Sequence, residues 1–421
     1  MEDEHIRWAK EPQEGNKIIR ACTSQQLAHA AGQAAPGSTI VLEDGIYSDA
    51  EVLKIRIQAT IDEPVTIRAA NPGKAIFSGE ACIKLHESSY VMIQGIKFAN
   101  TGHTAIELSN CHHIRITRNT FALAEDGTEL HWILIRGENS HHHWIDHNDF
   151  GPRRDKGMYV SSDGANGKMS QYDVYEYNYF HGSGPAFPRS LGEIKALRIG
   201  LSKVSMSDGC NLIQYNLFEH CDANPEIISL KSCRNQVRYN TFVNCEGHLT
   251  SRHGHANSFY GNIFLGDSKR NGMGGFRIYG NDHQIHDNVL VNLTDWAVRV
   301  DSGAFDAGPE GNIYTPEVLT QHWRVYRAQV YGNVIEGGPG ITIGGSKQYE
   351  PVEVSVENNL YRGQPEEAVV VHASRDASVF GNRIETWDGQ QGWPASSWKE
   401  HIACSGRMKV LTPADVGPGA V

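Results

Sequence analysis

Three residues in the stretch from Asn224 to Asn262, NPEIISLKSCRNQVRYNTFVNCEGHLTSRHGHANSFYGN, have types and spacing that could do chemistry together: Glu226, Lys231 and Arg252. A lysine with an ordinary pKa of about 10.4 is protonated at neutral pH and is no base. Positive charge close by, such as Arg252 would supply, lowers that pKa and frees a neutral amine able to act as a base. The arginine itself stays charged and suits an oxygen on which negative charge develops. For a lone lysine, an ion pair with Glu226 is the ordinary reading, so the chemistry depends on all three meeting in one place. Lys231 lies five residues after Glu226. On a regular strand such residues face opposite ways, so sharing a groove requires the chain to bend near Ser229.

The elements that would position them recur along the chain. A short phrase of alternating apolar and polar residues ends in asparagine again and again. It runs from Asn119 in IRITRNTF, through Asn148, Asn178, Asn216, Asn240, Asn262, Asn288 and Asn333, to Asn358 in VSVENNLY and Asn382. Alternation marks short strands with one buried face. An asparagine at each corner can bond neighbouring backbone and take a left-handed conformation where the chain turns. Repeats of about 25 residues predict an all-β fold, a right-handed parallel β-helix; a propeller would want periods of about 40 or more. Residues 23–34, with Thr23 as N-cap and Leu27, Ala28 and Ala31 on one face, predict a short helix capping the N-terminal end. The period is lost from about residue 393, and this tail is expected to fold back along the outside or to cap the far end. No linker divides the chain, so residues 1–421 read as one domain.

A second strand set lies between the asparagine phrases: LRIG (Arg198), PEII (Glu226), LTSRHG (Arg252), GGFRIYG (Arg277) and WAVRVDSG (Arg299). Apolar neighbours such as Leu197 and Ile199 should face inward, leaving an outward row Arg, Glu, Arg, Arg, Arg. Aligned arginines repel unless carboxylates or an anionic ligand sit among them. The two readings are a groove for an extended polyanion, gripped by arginine forks, and a solvated stripe balanced by loop Asp and Glu. The formal charge of −11 argues against a nucleic-acid binder, so an acidic substrate has to be met by a local basic patch.

The combination PEIISLKS, RYNTF, GHLTSRHG and GGFRIYGNDHQIHDN resembles polysaccharide lyase family 6, which contains alginate lyases and the chondroitinase B type of dermatan sulfate lyase. The likeness covers roughly Arg198 to Asn288. It implies β-elimination on a uronate polymer, with Lys231 as general base and Arg252 as general acid or stabiliser of the leaving oxygen. Substrate contacts are expected from Arg198, His253, Arg277, Tyr279, His283 and Arg299, with His286 a further possibility. It also implies a calcium site, with Glu226, Asn224 and Glu193 as the ligands. Asn224 stands where the family commonly has an acid, and Glu193 lies in SLGEIKALRIG near where an asparagine is usual. Calcium takes roughly six to eight oxygens, which makes this a thin set, and Lys195 is an alternative source of positive charge there.

Alginate is the expected polymer, with dermatan sulfate the alternative; a C5 epimerase and a non-catalytic glycan-binding solenoid are the remaining possibilities. The polar start MEDEHIRWAKEPQEG has no secretory-leader pattern, so the chain is expected to be either a mature periplasmic or secreted form or an intracellular protein. No apolar run of about 18 residues could span a membrane. Eight cysteines without CxxC spacing argue against zinc. Cys221 and Cys245 are expected one rung apart, as a disulfide or as buried thiols. The run His141, His142, His143 with His147 is expected to form a solvated corner loop.

Overall fold

In each turn of the chain three short strands are separated by sharp corners, and equivalent strands of successive turns pair in parallel. The computed structural model describes residues 17–49, 52–184, 193–223, 225–310, 314–386 and 397–420. Within them the strands form parallel sheets of 14, 12 and 13 strands that run the length of a β-helix. One coil illustrates the plan: Leu212–Gln214 joins the 14-stranded sheet, Leu217–Cys221 the 13-stranded sheet and Glu226–Lys231 the 12-stranded sheet.

The corner between the first two strands explains the recurring asparagine. Asn216 is fully buried; its Oδ1 accepts from the N and Nδ2 of Asn178, each at 3.0 Å, and its Nδ2 donates to Asn240 Oδ1 at 2.9 Å. The same links join Asn119 through Asn333 into one column, satisfying corner amides that the sheets cannot reach. The left-handed conformation belongs to the residue before each asparagine, as at Tyr177, Tyr215 and Tyr239 (φ 54°, 53° and 56°). That corrects the ladder at VSVENNLY. Asn358 takes the left-handed position (φ 55°), and Asn359 bonds to Asn333 and Asn382.

Two residues after each asparagine from Asn119 to Asn262 a phenylalanine ring points inward, and Phe77 and Phe98 extend that stack toward the N-terminal end. Phe77, Phe98, Phe121, Phe150, Phe180, Phe218, Phe242 and Phe264 stack with centroids 4.3 to 5.2 Å apart. A second buried column, His143, Asp173, Asn211, Asn235, Asn257 and His283, links the corner that follows the 12-stranded sheet. The expectation for the histidine run changes at one position. His143 is inside this column rather than in a solvated loop, while His112 and His141 stack at 4.9 Å on its outer side.

The N-terminal helix spans Ser24–Gln33, and Thr23 caps it by accepting from the Gln26 amide. Its buried face is Ser24, Leu27, Ala30 and Ala31, so Ala30 takes the place expected for Ala28. At the other end, the helix Ser397–Ser405 and the strand-free segment after it lie back along the outside. Ile402 and Met408 pack on Ile263, Val289 and Val334, and Leu411 and Val416 on Leu217. Arg118 then holds the carbonyls of Pro418 and Ala420. Residues 393–396 lie outside the described residues. Cys221 and Cys245 are free thiols, with the Cys221 amide donating to Cys245 Sγ at 3.3 Å. No helix among the described residues is long and apolar enough to cross a membrane.

Candidate functional site

A departure from strand alternation places Glu226 and Lys231 on one face. In the strand Glu226–Lys231 both Ile227 and Ile228 enter the apolar core, and pairing with Gly247–His253 shifts register at that point. The doubled inward residue reverses the alternation. Glu226, Ser229 and Lys231 therefore all leave the core side, which the sequence had required of a bend near Ser229. Ala196 and Leu197, both in the core, do the same one rung earlier and turn Lys195 outward with Arg198. A second register shift follows Leu230: Leu230 faces Ser251, Lys231 faces His253, and Arg252 is the extra residue between them. The glycines of LRIG and RHG allow this close stacking. A Cβ on Gly200 (φ 106°) would lie 2.1 Å from the Lys231 carbonyl oxygen, and one on Gly254 (φ 92°) the same distance from that of Ser232.

The expected outward row is rearranged by these bulges. Arg198 pairs with Ser161 and Ser229, and Thr250 pairs with Arg277, which pairs with Arg299. Glu226 and Arg252 are not in that row but on either side of it. Nor are its arginines bare cations. Arg198 Nη2 donates to Asp163 Oδ1 at 2.8 Å, Arg277 Nε to Asp301 Oδ2 at 3.0 Å, and Arg299 lies 3.5 Å from Asp301 and 3.7 Å from Asp295. Of the two readings of the row, the balanced stripe describes these three residues.

The cluster around Glu226 is different in kind. Its carboxylate, 5% exposed, has Lys195 Nζ 3.1 Å from Oε2 and Arg252 Nε 3.8 Å from Oε1. Burial alone would raise its pKa; Lys195 first, with Lys231 and Arg252 adding, instead holds it at about 2. Lys231 is pushed down to about 8 by burial and by the Lys195 ammonium, with Arg252 adding and Glu226 and Glu193 opposing. Near neutral pH a usable fraction of Lys231 is thus the neutral amine, beside a guanidinium that stays charged.

An inserted segment between Asn288 and Asn333 covers this cluster, and sequence reasoning missed its contribution. Gln321 offers its carbonyl to His253 Nε2 at 2.8 Å, and the Trp323 ring, 1% exposed, lies 4.9 Å from the His253 ring. His253 itself is fully buried and held neutral, its pKa lowered to about 3 by burial and by Arg252 and Lys231. It lies against Arg252, with Nε2 3.2 Å from Nη1, rather than presenting a face to a ligand. Trp323→Ala should free His253 and with it Arg252. About a 10- to 100-fold fall in kcat is expected from such a displacement, and an unchanged kcat would separate the insert from the chemistry.

His322 from the same insert lies over Tyr279, ring centroids 4.3 Å apart. The Tyr279 hydroxyl accepts from Arg277 Nη2 at 2.6 Å and Lys347 Nζ at 3.1 Å and donates to Asp301 at 2.6 Å. Tyr279 is buried, so it organises these cations rather than lining an open groove. His283, expected along the groove, is fully buried in the second column, its Nδ1 accepting from the Asn257 amide. His286 belongs to the 14-stranded sheet, stacked between Tyr260 and Tyr331 on another face. No local signal in the sequence points to His322, Trp323 or Lys347, because each comes from outside the repeat phrases.

The metal expectation meets an obstacle. Asn224 lies outside the described residues. Glu193 and Glu226 do converge, but on the buried Lys195 ammonium, 2.7 Å from Glu193 Oε2 and 3.1 Å from Glu226 Oε2. Calcium requires roughly six to eight oxygens, and among the described residues no group of three or more His, Cys, Asp or Glu is placed to hold a metal. The residues described do not fit calcium.

The profile of the Chondroitinase B family matches residues 22–316, well over half of the chain. No curated protein matches. Among solved structures, a mannuronic-acid-specific family 6 polysaccharide lyase from human gut microbiota superposes with a TM-score of 0.76 at 23% identity, covering 94% of this chain and 96% of that one. A family 6 polysaccharide lyase from Pseudopedobacter saltans gives 0.78 at 21% identity, covering 97% and 100%. The family 6 alginate lyase AlyGC gives 0.77 at 23% identity over 89% of this chain, which spans 52% of that one. At such identities the likeness is one of fold.

Proposed function

The chain belongs to the chondroitinase B family, polysaccharide lyase family 6, and on that premise we propose that it cleaves alginate by β-elimination. The observation that carries this reading is the convergence of Lys231 and Arg252 on one face beside Glu226, with the amine of Lys231 depressed to about 8. The neutral amine of Lys231 takes the C5 proton of a uronate. The C–H electron pair becomes the C4–C5 double bond, and the C4–O bond breaks. Arg252 stabilises the oxygen that leaves, which takes up a proton from solvent. A uronate carboxylate opposes carbanion formation through its own charge, so it must be neutralised. Lys347, whose ammonium reaches the Tyr279 hydroxyl, is the cation best placed for that.

Alginate is favoured over dermatan sulfate by charge. A sulfated polymer needs additional free cations, whereas Arg198, Arg277 and Arg299 already have aspartate partners. The family 6 lyases among its fold neighbours are in keeping with that choice. A charged polymer does not diffuse unaided through a lipid bilayer, so the protein is proposed to work outside the cytoplasm. The test is incubation with mannuronate-rich alginate, guluronate-rich alginate and dermatan sulfate, following the ultraviolet absorbance of the unsaturated product. A rise with alginate is expected. A rise with dermatan sulfate alone would replace alginate, and no rise with any polymer from folded protein would remove the lyase reading.

Since the base acts as the free amine, kcat/KM should rise with pH through about 8 and level off above it. The sign follows from burial and the neighbouring cations, which favour the uncharged form. A profile that falls through the same range would reject Lys231 as the base.

A further inference from the structure

Lys195 occupies a position that its chemistry does not readily explain as packing. A lysine can usually extend its ammonium to water, yet this side chain is 2% exposed. Its charge is enclosed between two carboxylates from successive turns, Glu193 at 2.7 Å and Glu226 at 3.1 Å. Its backbone is fixed from the core side, where the buried guanidinium of Arg153 donates to the Lys195 carbonyl at 2.9 Å. A buried charge is tolerated when it is paired and hydrogen-bonded, and the ammonium has donors for both carboxylates.

We propose that Lys195 is a built-in cation standing where a divalent metal would otherwise bind, so that this chain carries out its elimination without calcium. The proposal rests on the lyase reading above and specifies how that site obtains its positive charge. Charge accounting supports it. Lys195 with Glu193 and Glu226 leaves a net single negative charge, which Arg252, 3.8 Å from Glu226, neutralises. A divalent ion on the same carboxylates would leave the cluster one positive charge richer. The lysine arrangement therefore needs a further cation for the substrate carboxylate, and Lys347 reaches the Tyr279 hydroxyl from beyond the inserted segment to provide one. Lys195 acts here as a positioning residue: it holds Glu226, and through Glu226 it holds Arg252.

The experiment has two independent readings. Chelated, dialysed protein is titrated with calcium in a calorimeter, as wild type and as Lys195→Ala. Product formation is then followed for both, with and without added calcium or ethylammonium. The wild type should give no saturable heat and keep its rate after chelation. Lys195→Ala should acquire saturable calcium uptake, lose about a hundredfold or more in kcat, and regain part of it with ethylammonium or calcium. Stoichiometric calcium uptake by the wild type with a gain in rate overturns the proposal. So does a folded Lys195→Ala that keeps the full rate, or one that neither takes up calcium nor responds to ethylammonium. If Lys195→Ala does not fold, Lys195→Gln removes the charge while keeping most of the stem and serves for the same readings. Should the wild type form no product from any uronate polymer, the lyase reading falls, while the calorimetric comparison still decides whether the lysine excludes the metal.

Discussion

Lys231→Ala is expected to leave the β-helix folded and to lower kcat on alginate by about 10²- to 10⁴-fold, the range that a positioned general base contributes. Lys231 is half-buried at the end of the strand Glu226–Lys231 and has no part in the apolar core, so its truncation opens no cavity. Binding should change little, because the lost amine acts on a carbon-bound proton and not on the substrate's charge. The signature is therefore a fall in kcat at nearly constant KM, with an unchanged circular dichroism spectrum. Lys231→Arg should be equally inactive, since a guanidinium does not give up its proton in this range. A Lys231→Ala protein with wild-type kcat would remove the base assignment, whatever the fate of the alginate reading.

Asn216→Ala should have the largest effect on stability. The side chain accepts from the amide and the side chain of Asn178 and donates to the carbonyls of Tyr175 and Gln214 and to Asn240 Oδ1. Alanine leaves the Asn178 amide and the Asn240 oxygen each short of a bond in a fully buried corner. Each buried orphan costs about 1–3 kcal/mol, so a loss of about 3 kcal/mol or more is expected. Urea denaturation followed by circular dichroism measures it. The same change at Asn382, in the last rung, should cost less, because that residue already lies partly in solvent. Equal midpoints for wild type and Asn216→Ala would mean that the column does not stabilise the corner.

Much of this molecule is readable residue by residue. The ladder and the phenylalanine stack are legible because each coil needs the same side chain at the same corner, so a physical requirement becomes a sequence period. The error at Asn358 is instructive. Two asparagines stand together, either could serve, and only the preference of the preceding position for a left-handed backbone separates them. Lys231 and Arg252 were legible as chemistry, being the two cations carried on IISLKS and TSRHG in adjacent coils.

Face and partnership were not legible in the same way. The doubled apolar pairs Ile227–Ile228 and Ala196–Leu197 reverse which residues point outward, and they put Lys195 beside Glu226. Those pairs are visible in EIIS and KALR, but alternation alone does not say which of two neighbouring apolar residues breaks it. The arginine row lost its expected character because Asp163, Asp295 and Asp301 reach it from other segments. Sequence by itself determined the coil and its corners, because these follow from local periodicity, and it singled out the two residues proposed to act on the polymer through their types and the family resemblance of the segments that carry them. Only the tertiary structure decided what surrounds them: Lys195 enclosed by carboxylates, and His322, Trp323 and Lys347 delivered from outside the repeat. Electrostatics depends on distance in space, and separation along the chain carries almost no information about it.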